Sequence, residues 1–459
     1  MSSAPVCGEL RDPGMTPGED RTGRRARRGS ILPQPSDALR RMIRGVVWST
    51  LGSSIAQGTS FLTAVAVARN LGKNSFGAFV LVQSTMIAAA NLACLNLGVT
   101  ATKYASEYRT SDPKRAGRVL GLACLVALIA GILFAVGLVA FAPRLAPPGG
   151  QRSLVAKGLR ISSPYVLCSS LNGYQMGALA GLECFRPMAW IGAACGCFSL
   201  LLTWIFAWRF GFNGALLAQS AGAFSLCVAY HFALAFASTK QQVTIRYCGA
   251  WKERAALARF SLPATMSGIF GSVAIWWCNV ALVRESGYAE LALFGALSNL
   301  RAAMLFIPVL VARVAAPMLN GLRAAGGFKE YHSMFWGTVR WNGGIGLLLA
   351  GVFALLGRPV LAIFGRDFDA SPAVLLLFLG AVVCEIVSAN LYQAIFTART
   401  LWTHCAISML WAAVLVSAAS AVLRPYGAAG LAFSYLAAWT CSMACYAFAA
   451  NRRLKEWVR

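Results

Sequence analysis

The sequence predicts an all-α membrane protein: twelve transmembrane helices in two pseudo-symmetric six-helix bundles around a central cavity. Three observations predict it. The 459 residues are 58% hydrophobic and only 12% charged, whereas roughly a quarter of a soluble domain is charged. Apolar stretches of about 20 residues, each long enough to cross a hydrocarbon core, recur between residues 45 and 450. The second half of the chain also repeats landmarks of the first in the same order.

Taken in order, the chain opens with a tail, residues 1–41, rich in Pro, Gly and Arg ("RTGRRARRGSILPQP"), a composition that predicts disorder. The tail resembles the charged start of a signal peptide, but the first apolar segment runs on as a full span without a clear small-x-small cleavage site. Met42 would also make a natural beginning, in which case the tail is an artefact of an early start codon. The spans then fall at about 45–68, 77–99, 118–141, 160–182, 188–208, 212–236, 260–283, 290–313, 335–357, 372–396, 402–423 and 427–450. A basic segment, residues 237–259, joins a first bundle at 42–236 to a second at 260–450, and 451–459 form a short basic tail.

The net charge of +25 follows membrane topology and not nucleic-acid binding, because the cations cluster at span ends and in the tail without interleaved aromatics. One side, holding both termini and the loops after the even-numbered spans, carries about 23 basic residues against about 11 on the other. Both termini are therefore expected in the cytoplasm, which requires an even number of spans. The cysteines lie mostly inside apolar segments as small buried side chains. Neither a disulfide framework nor a metal site is expected, and no cofactor.

The repeat holds a nearly constant offset. "AVAVARNLGKNSFGAFVLVQ" (64–83) is echoed by "NVALVRESGYAELALFGALSNLR" (279–301), with Arg69 against Arg284 and Phe76-Gly77 against Phe294-Gly295. "WRFGFNGALLAQ" (208–219) is echoed by "LRPYGAAGLAFS" (423–434), with Gly214 against Gly430, and Arg186 answers Arg399. Six spans being even, the halves share an orientation, and transporters of that design place substrate between them near the midplane.

Polar residues inside spans mark the expected cavity. Ser53, Gln57 and Ser60 share one face of span 1, as Thr265, Gly268, Ser272 and Asn279 do in span 7. Arg301, which the Phe-Gly match aligns with Gln83, lies deep in span 8. A charged Arg at a helix centre costs roughly 2.5–3.5 kcal/mol on insertion scales. It is also about 16 Å of helix from either end, too far to snorkel easily. The clearly intramembrane acid is Glu385 in span 10, in a register that sets it against Asn172 and sets Ser388 against Gln175; Tyr392 shares its face. Three arrangements stay open: a fixed Arg301–Glu385 pair pinning two helices, an Arg301 that binds an anion under the control of Glu385, or two residues that never meet. Arg340, near the cytoplasmic end of span 9, either greets an anionic headgroup at the entrance or marks the interface. Pro263 and Pro308 are bending points by composition, and "GFNG" and "WNGGIG" allow either bending or close helix packing.

"RNLGKNSFGAFVL" (69–81) resembles the R-x-L-G-x-x-x-F-G-x-[FY] signature of the polysaccharide (Wzx-type) transporters, relatives of the multidrug-and-toxin exporters and the lipid II flippases. "NLGVTATKYASEYRTSDPKRAGRVLG" (96–121) resembles their span-2 exit, and "RFSLPATMSGIFG" (259–271) the start of their span 7. The resemblance covers about 42–450 and implies two six-helix bundles around a V-shaped cavity. It implies a polyprenyl-pyrophosphate-linked oligosaccharide as substrate, flipped to the outer leaflet of a bacterial inner membrane, with membrane lipids and polysaccharide polymerase or export machinery as partners. Arg301, with Glu385, Gln83, Gln57, Asn172, Gln175, Ser272, Asn279, Tyr392 and Arg340, would form the cavity site.

Competing classes fit less well. No nucleophile–His–acid set appears, and His231, His332 and His404 share no motif, which argues against an enzyme. A cation-coupled drug exporter should carry an acid within spans 1–6, where none occurs; Glu183 sits at a loop edge. A lipid II flippase normally has fourteen spans. A sugar-porter-like facilitator should show a G-x-x-x-D-x-x-G-R-[KR] loop, which "TATKYASEYRTSDPKRAGR" does not.

Overall fold

The computed structural model describes residues 35–397 and 401–458. The expected disorder of the tail and the Arg186/Arg399 match therefore fall partly or wholly outside the described residues. The chain divides into a small unit, Met1–Ile43, and the main body, Arg44–Arg459.

Eleven α-helices make up the described chain: α1 (Pro35–Cys94), α2 (Leu97–Tyr108), α3 (Pro113–Leu145), α4 (Arg152–Ile161), α5 (Ser163–Gly181), α6 (Phe185–Lys240), α7 (Arg254–Ser286), α8 (Tyr288–Ala324), α9 (Phe328–Ala362), α10 (Pro372–Thr397) and α11 (Leu401–Val458). Among the described residues, eight helical stretches are long and apolar enough to cross a membrane. Three of them contain two crossings each, because α1, α6 and α11 break at Gly72, Gly211 and Gly427. With α5 the crossings number twelve, in a multi-pass helical membrane protein.

The breaks are reversals. A methyl on Gly214 would run into the carbonyl of Phe206, and one on Gly430 into that of Val422; in a straight helix such residues lie about 12 Å apart. In α1 the rings of Phe61 and Phe76 both reach Phe364, at 5.6 and 6.3 Å between centroids. Gly211 (φ 57°, ψ −135°) and Gly427 (φ 50°, ψ −127°) adopt nearly the same backbone conformation, one that an L side chain resists. Gly72 and Gly287 form a second matched pair, at φ 74° and 88°. Both pairs are separated by about 215 residues, so the sequence repeat is also a repeat of chain reversals.

Among the described pairings, α2 to α6 pack chiefly on one another, and α7 to α11 do the same. Span 4 begins later than its apolar pattern suggests: α4 ends at Ile161 and α5 starts afresh at Ser163. The segment joining the halves is helical to Lys240 and lies along α3, where Arg246 N–H donates to Gly117 O at 3.1 Å. Buried Glu253 then bonds Arg115 at 3.1 Å and Arg118 at 3.4 Å, fixing the joint to the start of α3.

The two glycine-rich clusters resolve differently. "GFNG" supplies a reversal at Gly211 and a close backbone approach at Gly214. "WNGGIG" is a packing surface: Gly343 and Gly346 meet Val387 and Ile386 of α10. Asn342 beside them donates to Asn390 Oδ1 at 2.6 Å and to the carbonyl of Pro308 at 3.3 Å, tying α9 to α10 and α8.

Candidate functional site

A cavity of about 780 Å³ opens between α1, α5, α6, α7 and α8. Both arms of α1 line it, through Ser60 and Thr63 on one and Gln83 and Ser84 on the other. Asn172 enters from α5, Thr203 and Gln219 from the two arms of α6, Asn279 from α7 and Arg301 from α8. Among the described lining residues Arg301 carries the only charge.

Arg301 and Glu385 meet. The guanidinium donates two hydrogen bonds to the carboxylate, Nε to Oε2 at 2.6 Å and Nη2 to Oε1, in the planar fork that suits this pair. The partners differ in exposure. The Arg301 side chain is 33% accessible and faces the cavity, whereas Glu385, at 10%, lies behind it on α10. One face of the guanidinium is thus committed to a carboxylate while the rest borders the open volume. Phe294, two turns before Arg301 on α8, lines the same cavity and packs on Phe378 and Tyr435, each at 5.3 Å between ring centroids.

Five of the residues singled out in the sequence stand on the cavity wall: Ser60, Gln83, Asn172, Asn279 and Arg301. Gln57 lines a neighbouring groove of about 330 Å³ with Phe61, Leu300 and Phe353. Gln175 is buried against Cys227. Ser272 accepts from Asn91 Nδ2 at 3.0 Å. Tyr392 packs on His404 at 4.3 Å, in a cluster with Tyr446 whose hydroxyl is 2.7 Å from His404 Nδ1. Two turns separate Tyr392 from Glu385, about 10 Å along α10. Arg340 sits on the exposed face of α9 beside exposed Trp341, as an interfacial residue does. The shared helical faces of these residues are real, but a neighbouring helix covers some of them before the cavity begins.

The reversals also refine the match of Arg301 with Gln83. Counted from Gly287 and Gly72, Arg301 lies one turn farther along its helix than Gln83 does, about 4.5 Å deeper. Thr203 and Gln219 were missed in the sequence because α6 is apolar all round and gives no face to single them out. The end of the cavity near the Gly72 reversal is sealed. Arg69 Nε donates to Ile363 O at 2.7 Å, and Phe61, Phe76, Phe364 and Phe368 close an aromatic cluster across α1 and the end of α9.

A multidrug resistance MATE-family transporter of the MOP superfamily, in an inward-facing conformation, superimposes with TM-score 0.76 at 14% identity over 89% of this chain and 98% of its own. A MOP-superfamily transporter from Pyrococcus furiosus, described as having a binding pocket of reverse polarity that suggests a different function, matches at 0.68 and 15% over 92% and 96%. A mutant MATE transporter of Vibrio cholerae matches at 0.67 and 15% over 92% and 99%. At such identities the likeness shows the fold. No curated protein sequence matches the chain. The model of the family described as "Polysaccharide biosynthesis protein" matches residues 42–322, more than half the chain. The chain therefore belongs to the polysaccharide biosynthesis protein family and has the fold of the MOP-superfamily transporters.

Proposed function

We propose that this transporter is a flippase that moves a polyprenyl-pyrophosphate-linked oligosaccharide from the cytoplasmic to the outer leaflet of a bacterial inner membrane by alternating access. Both termini are then cytoplasmic, and the product feeds surface polysaccharide assembly by a polymerase or export machinery. The observation that carries the reading is a large cavity whose single charged lining residue, among those described, is a guanidinium. Diphosphate oxygens match the guanidinium fork bidentately, as a carboxylate does. Glu385 holds the fork in place until the headgroup competes for it.

The cation also lowers the cost of bringing an anion into the low-dielectric midplane, and the membrane potential supplies direction. An anion leaving a negative interior gains about 2.3 kcal/mol per charge per 100 mV. A drug exporter of the same fold would need a carboxylate facing its cavity. None is among the described lining residues, and Glu385 is taken by Arg301. The polarity described for the Pyrococcus furiosus transporter shows that this fold accommodates a reversed pocket.

The test is genetic. The gene is deleted in its host, complemented with wild type or Arg301→Ala, and lipid-linked oligosaccharide is quantified. Accumulation in the deletion, relieved by wild type but not by well-expressed Arg301→Ala, is expected. No accumulation, with altered sensitivity to cationic drugs, overturns the reading in favour of export.

A further inference from the structure

The wall that α5 and α6 build differs chemically from the wall that carries Arg301. Three oxygens on it have no hydrogen-bond partner: Asn172 Oδ1, Thr203 Oγ1 and Gln219 Oε1. They belong to one cluster. Asn172 Nδ2 donates to Ala223 O at 3.1 Å, which fixes the amide so that Oδ1 is its free end. Gln219 precedes Ala223 by one helical turn. Across the α6 reversal, the antiparallel register set by Gly214 on Phe206 and Gly222 on Ser199 puts Thr203 opposite positions 217–218, next to Gln219. Thr203 is fully buried, and all three side chains adjoin the cavity.

A buried polar group without a partner is costly in free energy, and three in one wall call for a hydrogen-bonding ligand; Asn172 Oδ1 can only accept from it, whereas the Thr203 hydroxyl can accept or donate. Tyr165 and Tyr230 line the same cavity and supply aromatic surface there. Donors arrayed around an apolar face are the chemistry of a pyranose: hydroxyls, or the N–H of an acetamido group, at the rim of a C–H face. A carboxylate would instead meet the acceptor Asn172 Oδ1, with no cation among the described residues of that wall.

We propose that Asn172, Thr203 and Gln219 form a glycan subsite that selects a neutral or N-acetylated sugar over an acidic one. The inference rests on the flippase reading, in which the pyrophosphate occupies Arg301 and the first sugars lie against α5 and α6.

The test uses the full chain in lipid nanodiscs and three probes: polyprenyl pyrophosphate, the same lipid carrying N-acetylglucosamine, and the same lipid carrying glucuronic acid. Wild type should bind the N-acetylglucosamine probe roughly tenfold more tightly than the bare lipid, and the glucuronic acid probe no more tightly than the bare lipid. Thr203→Val, which keeps the packing shape, and Gln219→Leu should each lower the N-acetylglucosamine affinity by about three- to tenfold and leave the bare lipid unchanged. Gln219→Lys should move the preference toward glucuronic acid, which a purely structural role would not do. Equal losses on all three probes, or a wild type indifferent to the sugar, would overturn the subsite while Arg301-dependent binding of the bare lipid still stood. A bare lipid that does not bind, or binds equally well to Arg301→Gln, would remove the headgroup reading and the subsite with it.

Discussion

At the scale of single residues the account turns on the unequal partners Arg301 and Glu385. The carboxylate is packed away on α10, while the guanidinium has a third of its side chain accessible. Removing one partner of a buried pair costs more than the pair contributes, because the other charge is stranded. Arg301→Met should therefore lower the thermal unfolding temperature in detergent more than Glu385→Gln does, since the amide still accepts from the guanidinium. In the double variant Arg301→Met/Glu385→Gln stability should recover in part, with a coupling of about 1–3 kcal/mol. Additive losses would mean that the two are independent. Both residues were legible in the sequence, since a charge deep in an apolar run is conspicuous. Their pairing was not, because spans 8 and 10 carry no signal of which faces meet. Tyr392 shows the converse: its helical face agrees with that of Glu385, yet its ring is covered by His404 and Tyr446.

At the scale of elements, the glycine reversals and the buried amides organise the bundles. The conformation of Gly211 is essentially restricted to glycine, and nothing lies close to the position a methyl would take. Gly211→Ala should thus cost about 1–3 kcal/mol through strain alone. Gly214→Ala should be worse, because its methyl meets the Phe206 carbonyl and the backbone there must shift. Gly427 and Gly430 should repeat that ranking in the second half. Thermal unfolding of the four variants checks it, and a harmless Gly214→Ala would contradict the hairpin geometry. Asn342→Leu should cost about 0.6–1.7 kcal/mol, the range for hydrogen bonds between transmembrane helices, by breaking its bonds to Asn390 and Pro308. The repeat could be read from sequence because its landmarks, such as Gly214 and Gly430, stand where a methyl would meet a backbone carbonyl beside a reversal. Thr203 and Gln219 could not, because a hydroxyl or amide in a uniformly apolar helix looks the same whether it faces lipid, a neighbour or a cavity.

At the scale of the whole molecule, the cavity is closed at the Gly72 end by the Arg69 hydrogen bond and the phenylalanine cluster. That end faces outward in the proposed orientation. Phe364→Ala removes the ring that both Phe61 and Phe76 touch, and should admit reagent from that side. Cys195, a native thiol on the cavity wall, reports it. A membrane-impermeant thiol reagent added outside should modify Cys195 faster in Phe364→Ala than in wild type, with the site located by mass spectrometry. Unchanged labelling would place the outer seal elsewhere.

The central claim is that Arg301 receives the pyrophosphate of a lipid carrier as it crosses the membrane. It is tested most directly by reconstituting wild type and Arg301→Gln at equal amounts in liposomes and following translocation of a fluorescent polyprenyl-pyrophosphate sugar under an imposed potential. The account predicts translocation by wild type, accelerated when the compartment facing the cytoplasmic side is negative, and a rate at least about tenfold lower for Arg301→Gln, as expected when about 1.4 kcal/mol or more of favourable contact is lost. Equal rates for the two proteins, with no response to the potential, would contradict it.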